Sequence, residues 1–285
     1  MQVKYFTMMF IGLLCFCTLS AQTAKEDSVK YGWQNELITG LNLSQTQFDN
    51  WKQGGENTLA WQFNCQFRFI NNQPKIKWAN SGKLTYGAIK ITGESTRKSI
   101  DEIKLESLLT YKLGLIINPY LAFNAMTQFA TGYNYRTEPP QKISAFLDPG
   151  YIQEGIGMIA EPYPFLITRV GAAFKQTVTS DYPVPYADDP ETKEIEDFKS
   201  EVGIESSTEL NLRFAENLIF NSKLELFSTL EAIKKTDVSW DNLIIAEISK
   251  YFNVNFSLKV FYDRDISVKR QLKQGLAMGI TYHIL

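Results

Sequence analysis

The chain has 285 residues, a formal net charge of −2, 44% hydrophobic residues and 13% aromatic residues. A nearly neutral chain gives no general reason to expect a nucleic-acid partner, so none is predicted. One histidine and three cysteines are too few for a histidine–cysteine metal cluster, and no cofactor is predicted.

The first residues have the features of a targeting segment. Lys4 provides a positive start, and a short apolar run ends at Leu19 before small residues that suit cleavage. The run is too short for a transmembrane helix. Residues 1–22 are therefore predicted to be a secretory signal peptide, followed by a short periplasmic segment over 23–32 and a folded domain over 33–285.

Beyond residue 32, apolar residues recur at every second position, which is the period of β-strands. No segment approaches the roughly 18 apolar residues that a membrane helix needs. Twelve strands are predicted in chain order: 33–44, 58–70, 76–91, 102–117, 120–131, 150–161, 165–179, 201–215, 218–230, 237–251, 254–263 and 274–285. The chain is therefore predicted to be all-β.

The second predicted strand shows the alternation most clearly. Its apolar face carries Leu59, Trp61, Phe63, Cys65, Phe67 and Phe69. Cys65 is the one cysteine outside the predicted signal peptide, so no intramolecular disulfide is expected. The sixth strand is ambiguous, because Glu154 shares a face with Ile152 and Ile156.

The connections alternate between short and long along the chain. The short ones are NNQPK, NP, EPYP, AEN and FN, and the longest include SQTQFDNWKQGGEN and residues 180–200. Transmembrane β-barrels have short periplasmic turns and longer outer loops. A water-soluble sandwich would share the strand period, but it gives no reason for this alternation.

We therefore predict a transmembrane antiparallel up-and-down β-barrel of about twelve strands, in the outer membrane of a Gram-negative bacterium and surrounded by outer-membrane lipid. Aromatic residues near strand ends are expected to form interfacial girdles. These are Trp33, Trp61, Trp78, Tyr120, Tyr151, Trp240 and Tyr282.

In this fold the polar face of each strand lines the lumen. Its predicted cations are Arg68, Lys83, Lys104, Lys112, Arg169, Lys175, Arg213, Lys223 and Lys259. Its predicted anions are Glu106, Glu205, Glu209, Glu225, Asp241, Glu247 and Asp263. The two signs nearly balance, which argues against a strongly ion-selective pore. Three interpretations of the lumen are compatible with these charges: a paired network that closes it, a narrow water-filled pore, and a ligand cavity.

Catalytic patterns are weak. A histidine-based triad would have to use His283, and no serine has a motif-like setting around it. The acidic stretch DYPVPYADDPETKEIED lacks the spacing of a calcium loop and is interpreted as a solvated surface loop. Asp263 and Asp265, with Arg264 between them, are interpreted as a salt-bridged hairpin end. We expect no enzymatic activity.

Several separated motifs resemble a known family. They are LSQTQFDNWKQGGEN, DEIKLESLLTYKLG, MTQFATGYNY, FLDPGYIQEGIGM, KLELFSTLEAI, VFYDRDI and LKQGLAMGITY. In this order they resemble a family of uncharacterised Bacteroidota envelope proteins, a domain of unknown function (family 3078), from Trp33 onward. The resemblance implies an envelope barrel and adds no mechanism.

By this resemblance, the family's most recognisable motif lies in the first long connection, at Asn50, Trp51, Gly54, Gly55, Glu56 and Asn57. Lesser motifs are matched by Thr127, Gln128, Phe129, Gly132, Tyr262 and Asp263. The family often has a small residue where this chain has Lys52, which weakens any role for Lys52 itself. The glycine pair suits a tight return into the second strand, and the same loop is a candidate partner-binding or plug-forming segment.

Three functions are compatible with these observations. The first is a non-enzymatic scaffold or subunit of an outer-membrane assembly, which binds other outer-membrane or envelope proteins through its long outer loops. The second is a narrow, weakly selective channel for small solutes. The third, a lipid or protein hydrolase, has only His283 and the loop carboxylates to support it.

Overall fold

A computed structural model describes residues 30–284 except 51, 54, 185, 189–191, 231–235, 265 and 268, and it describes the backbone but not the side chain of His283. The predicted signal peptide and most of the predicted periplasmic segment lie outside the described residues, as do Trp51, Gly54 and Asp265. Among the described residues, no helix has the length and apolarity to span a membrane.

The described chain forms antiparallel β-structure. In chain order the strands are β1 (Gly32–Thr46), β2 (Thr58–Asn72), β3 (Ile76–Ile91), β4 (Arg97–Tyr111), β5 (Ile117–Thr127), β6 (Gly132–Asn134), β7 (Gln141–Ser144), β8 (Gly150–Tyr163), β9 (Leu166–Val178), β10 (Phe198–Ala215), β11 (Leu218–Thr229), β12 (Thr236–Glu247), β13 (Phe252–Tyr262) and β14 (Gln271–His283). Twelve of these form one closed barrel in which neighbours follow chain order and β1 pairs with β14. The predicted twelve-strand up-and-down barrel is confirmed.

Two features of the connections differ from the prediction. The strands β6 and β7 form a small hairpin within the connection between β5 and β8, where no strand was predicted. In addition, β4 begins earlier and ends earlier than predicted, so the outer connection over 92–96 is as short as the periplasmic connection over 112–116. Tertiary contacts explain the early start, because Asp101 accepts hydrogen bonds from the backbone of Phe129 and Ala130.

The two faces of each barrel strand contact different surroundings. On β14 the outward side chains Leu276 and Met278 are 75% and 64% exposed, and on β10 the outward Val202 is 54% exposed. The inward positions of β10 carry Glu205 and Ser207, which are both buried. A water-soluble barrel would bury the apolar face instead, so this arrangement is that of a membrane barrel.

The predicted aromatic girdles are correct in part. Trp33 and Trp78 lie on the outer wall near the periplasmic strand ends, with ring centroids 6.4 Å apart. Tyr120 does not belong to a girdle, because β5 turns it into the lumen, where it is 2% exposed. Tyr151 also lies on an inward position, opposite the buried Thr177. Both tyrosines stand near strand ends, but the alternation of β5 and β8 sends them inward.

The register also resolves the ambiguous sixth predicted strand, which is β8. Glu154 is exposed and faces outward with Ile156, opposite Phe174 of β9. Its carboxylate accepts a hydrogen bond from Gln176 Nε2 at 3.2 Å. The two polar groups lie near the outer ends of β8 and β9, so the pairing satisfies them close to the interface.

Glycine lets part of the barrel wall lie close to the groups inside it. A Cβ added at Gly171 of β9 would lie 2.3 Å from the carbonyl oxygen of Ile156 and 2.6 Å from the Tyr120 hydroxyl. A Cβ at Gly155 of β8 would lie 2.2 Å from Oε1 of Glu205. These positions therefore have no room for a larger residue, and the inward tyrosine and glutamate occupy the space.

We expect Gly171→Ala to destabilise the barrel by about 1–3 kcal/mol, because the added methyl group overpacks a backbone contact. The measurement is the temperature at which the folded form, recognised by its faster migration in cold detergent gels, is lost. Gly40→Ala is the matched control, since a Cβ there would meet its nearest atoms at 3.4 Å. Equal melting of the two variants would contradict the close contact at Gly171.

Candidate functional site: the lumen and the outer loops

Ion pairs cross the lumen from β4 to the opposite wall. Lys104 Nζ lies 2.7 Å from Glu225 of β11, and Glu106 Oε2 lies 2.6 Å from Lys223 Nζ of β11. Along the barrel, β4 and β11 are separated by four strands in one direction and six in the other. We call these four residues the lumen bridge. Because they join nearly opposite walls, they occupy the centre of the lumen.

A second contact extends the bridge toward β13. Glu102 of β4 lies 3.1 Å from Lys259 Nζ of β13 and 3.2 Å from Lys83 Nζ of β3. Lys259 is also 3.6 Å from Asp241 of β12. The inward face of β4 therefore presents three successive charges, those of Glu102, Lys104 and Glu106. Each forms an ion pair with a residue on a strand across the barrel.

On one side of the bridge the lumen is filled. Arg169 of β9 is 4% exposed and lies 2.7 Å from Glu106 and 3.8 Å from Glu205. Glu205 also accepts hydrogen bonds from the Tyr120 hydroxyl at 2.6 Å and from Gln153 Nε2 at 2.5 Å. The carboxylate thus has several charged and polar partners, as a buried charge requires.

Apolar residues complete this filled side toward the periplasm. Tyr120, Ala122 and Ile159 are buried together, and Leu108 and Ile167 pack against them. These inward positions belong to β4, β5, β8 and β9. We call the region lined by β5, β8, β9 and β10 the filled lobe.

On the other side of the bridge the lumen-facing residues are accessible. Glu36 of β1, Gln66 and Arg68 of β2, Ser257 of β13 and Lys273 of β14 are all exposed. Their inward direction follows from the register, because Arg68 is opposite Ser81 and Ser81 is opposite Glu106. We call the region lined by β13, β14, β1 and β2 the open lobe.

A separate cluster lies at the outer mouth. Lys175, near the outer end of β9, is 2.7 Å from Asp237, 3.5 Å from Asp263 and 3.7 Å from Glu201. Carboxylates outnumber the cations here, but no group of three or more histidine, cysteine, aspartate and glutamate residues in the described part of the chain is arranged to hold a metal. The cluster ties four strand ends together.

The structure brings most of the predicted lumen charges together, including Glu209, which is 3.1 Å from Lys223. Others lie apart from this network. Arg213 and Glu247 form a 3.4 Å pair near the periplasmic ends of β10 and β12, where both are exposed. The Arg68 side chain makes no ion pair or hydrogen bond with any described residue.

Lys112 lies outside the barrel wall, in the connection after β4. Its ammonium group donates hydrogen bonds to Asn72 Oδ1 at 2.5 Å and to the carbonyl of Gln73 at 2.8 Å, so it caps the periplasmic turn after β2. Burial and the nearby charge of Lys77 lower the pKa of Lys112. Its prediction as a lumen charge is corrected, because β4 ends at Tyr111.

The first-loop motif holds the base of that loop. Asn57 Oδ1 accepts a hydrogen bond from the backbone N–H of Phe48 at 2.6 Å, and the carbonyl of Asn57 accepts one from Thr92 at 3.0 Å. Gly55 has a φ of 132°, and a Cβ there would lie 2.5 Å from the Phe48 ring. Gly55 therefore lies close against Phe48, and of the other described motif residues Asn50 also has a positive φ and Glu56 is exposed.

Buried carboxylates order the larger outer loops. Asp101 accepts hydrogen bonds from two successive backbone N–H groups, those of Phe129 at 2.7 Å and Ala130 at 2.8 Å. Asp148, 4% exposed, does the same for Ser180 at 3.0 Å and Asp181 at 2.7 Å. One carboxylate thus links a loop to β4, and the other links two loops to each other.

Two residues of the lesser family motifs complete this loop frame. Thr127 Oγ1 accepts a hydrogen bond from the N–H of Leu147 at 2.9 Å, and Gln128 Nε2 donates one to the carbonyl of Ala145 at 2.9 Å. Sequence reasoning missed Asp101, Asp148 and Glu102. Aspartate followed by Pro-Gly at 148–150 was the available signal for Asp148, and the inward period of β4 was the signal for Glu102.

We expect Arg169→Met to lower the free energy of unfolding by about 3–5 kcal/mol, because it leaves Glu106 and Glu205 without their shared counter-charge. Urea unfolding in lipid vesicles, followed by tryptophan fluorescence, measures the change. Arg68→Met is the control, since it removes a lumen arginine that has no ion pair among the described residues. A loss of similar size in both variants would contradict the assignment of Arg169 as the centre of the filled lobe.

Solved structures of outer-membrane barrels are similar in overall shape. The COG4313 outer membrane channel from Pseudomonas putida F1 has a TM-score of 0.43 and 8% identity, with 92% of this chain and 99% of that chain covered. The translocator domain of autotransporter NalP from Neisseria meningitidis has a TM-score of 0.39 and 8% identity, with 90% of each chain covered. The outer membrane channel DcaP of Acinetobacter baumannii has a TM-score of 0.33 and 6% identity, with 89% and 96% covered.

No curated protein matches the chain significantly. Residues 43–133 match the model of a family described as "Protein of unknown function (DUF3078)", which confirms the predicted resemblance over that range. The matched range extends from β1 to the start of β6 and contains the first-loop motif, β4 and Asp101. The chain is an outer-membrane β-barrel protein of twelve strands, and its residues 43–133 match the DUF3078 family.

Proposed function

We propose that the protein is a non-enzymatic scaffold or subunit of an outer-membrane assembly that binds other envelope proteins through its outer loops. The observation that carries the proposal is the lumen bridge, because its ion pairs occupy the centre of the channel that a porin would keep open. A barrel whose centre is blocked in this way would act through its position in the membrane and through its outer loops.

The strength of the bridge follows from its surroundings. Glu106 has a side chain 13% exposed and contacts both Arg169 and Lys223. Removing one member of a buried ion pair leaves an uncompensated charge, which costs several kcal/mol. Opening a path through the centre would separate several such pairs together, so the closed arrangement is the stable one.

The outer loops have the properties of a binding surface. Hydrogen bonds to Asp101 and Asp148 hold them in place, so binding would order few further residues and lose less conformational entropy. On this frame Phe129 is 46% exposed, Phe146 is 57% exposed and Leu147 is 53% exposed. Exposed apolar residues that are held rigidly are typical of protein–protein contact sites.

A narrow channel for small solutes is the second candidate, and the open lobe is the observation that favours it. Exposed inward residues on β1, β2, β13 and β14 show that the lumen beside the bridge is accessible. Such a path would be off-centre and lined by amides and by charges of both signs, which agrees with weak selectivity.

Planar-bilayer recording separates the two candidates. We expect no conductance steps from the wild-type protein, and clear steps from Lys104→Ala/Glu106→Ala/Lys223→Ala/Glu225→Ala, which removes the bridge without changing net charge. Arg213→Ala/Glu247→Ala is the control, because it removes an exposed ion pair at the periplasmic end. Steps from the wild type would favour the channel and remove the main support for the scaffold.

The loop surface is tested by affinity purification from crosslinked native outer membranes. We expect a protein that co-purifies with the wild type to be lost with Phe146→Ser/Leu147→Asn, since asparagine tolerates the positive φ of 55° at position 147. Tyr163→Ser is the control, because Tyr163 is equally exposed, at 57%, but lies at the periplasmic end of β8. Recovery of the barrel alone from the wild type would count against the scaffold.

A further inference from the structure

The barrel closes through an incomplete seam. Strands β1 and β14 pair at only five positions, from Ile38 with His283 to Asn42 with Gly279. By comparison, β1 and β2 pair at fifteen positions, and β13 and β14 at ten. Residues 43–46 of β1 and 271–278 of β14 therefore pair on one side only, with β2 and β13. We call this unpaired region the outer seam, because β14 begins at its outer end.

An unpaired strand edge at this depth requires a partner. Hydrocarbon offers no hydrogen bonds to backbone N–H and C=O groups, so lipid-exposed sheet edges do not occur within a membrane unless something satisfies them. The seam is long, since 271–278 is more than half of β14. Polar groups must therefore reach the edge, either through the accessible open lobe or from a bound molecule.

The strand edges that border the outer seam carry apolar side chains on the membrane side. Leu43 of β1 is 62% exposed, and Leu272, Leu276 and Met278 of β14 are 61%, 75% and 64% exposed. These are among the most exposed large apolar side chains of the barrel strands. Such a surface matches an acyl chain that enters the seam from the bilayer.

The lumen side of the seam carries a cation that forms no ion pair within 4 Å with any described residue. The Lys273 side chain is exposed, and it makes no ion pair within 4 Å and no hydrogen bond with any described residue. It stands directly opposite Lys259 in the β13–β14 register. Like charges at directly opposite positions destabilise a sheet. An anion bound here would relieve that repulsion.

The nearby carboxylates already form ion pairs with other lysines. Glu102 is 3.2 Å from Lys83 and 3.1 Å from Lys259, and Asp241 is 3.6 Å from Lys259. Three lysines therefore face two carboxylates in this part of the open lobe, with Lys273 as the unpaired one. The region has an excess of one positive charge beside an apolar opening.

We propose that the outer seam is a lateral binding site for an anionic phospholipid. Its phosphate contacts Lys273 from within the open lobe. Its acyl chain passes between the two strand edges, along the apolar side chains of Leu43, Leu272, Leu276 and Met278. Headgroup oxygens and the water around them accept hydrogen bonds from the unpaired edge of β14. A partner β-strand would satisfy the backbone of this edge but would leave Lys273 without an ion pair, so a lipid fits the observations better. This site does not depend on the scaffold proposal.

Native mass spectrometry of protein released from nanodiscs tests the headgroup contact. The nanodiscs contain equal amounts of phosphatidylglycerol and phosphatidylcholine, and the ratio of the two lipids bound to the protein is the readout. We expect the wild type to retain phosphatidylglycerol preferentially and Lys273→Gln to reduce that preference about five- to tenfold, as for loss of one charge-assisted contact. Arg68→Gln is the control, because it removes another exposed, unpaired lumen cation far from the seam.

A disulfide across the seam tests the opening itself. In a Cys65→Ser background, Ser44→Cys and Ala277→Cys would face each other if the register of β1 and β14 continued beyond Asn42 and Gly279. We expect the oxidised form to lose the phosphatidylglycerol preference and the reduced form of the same protein to keep it. The proposal is overturned if Lys273→Gln keeps the wild-type preference, if Arg68→Gln lowers it as much, or if oxidised and reduced forms bind equally.

Discussion

The structure depends on one constraint: within a bilayer, each backbone N–H and C=O must find a hydrogen-bond partner, because hydrocarbon offers none. A closed ladder of twelve strands meets this requirement except along the outer seam, and it also assigns every second residue to lipid and every other one to the lumen. The chain places apolar residues on one set and charges on the other. The lumen bridge then follows from enclosing so many charges in one barrel, where those that are buried need partners of opposite sign.

The lumen formed by the described residues divides into a packed part and an accessible part. The wall from β5 to β10 is drawn close to its contents because Gly155 and Gly171 lack side chains, and Tyr120, Arg169 and Glu205 fill the space. The wall from β13 to β2 carries amides, single charges and an incomplete seam. One half of the lumen is therefore packed in the manner of a protein core, and the other half remains open to exchange with solvent and lipid.

Much of the fold could be predicted from the sequence, because a period of two is visible wherever a strand has different surroundings on its two faces. That period identified the outward face of the second strand and most of the inward charges. It could not show that β4 starts at Arg97, since the polar residues there are ordered by the loop that contacts Asp101. Tyr120 was predicted in a girdle from its position near a strand end, and not from its parity on β5.

The sequence alone could not predict which charges form ion pairs with each other, and the reason is geometric. Which lysine meets which glutamate depends on strand tilt and on the register around the closed barrel, and neither is encoded locally. Lys104 and Glu225 meet although 121 positions separate them, and the seam is visible only when the ladder between the first and last strands is known. The first-loop motif could be located from the sequence, but its contact with Phe48 needed the folded loop.

The long sequence separation of the bridge has a consequence for biogenesis. Lys104 and Glu106 lie on β4 and their partners Lys223 and Glu225 lie on β11, so whichever of the two walls forms first carries its charges before their partners are in place. During that interval the charges need water or a chaperone surface around them, because hydrocarbon would leave them unsolvated. The growing sheet must therefore keep an aqueous cavity on its inner face until the opposite wall brings in the countercharges.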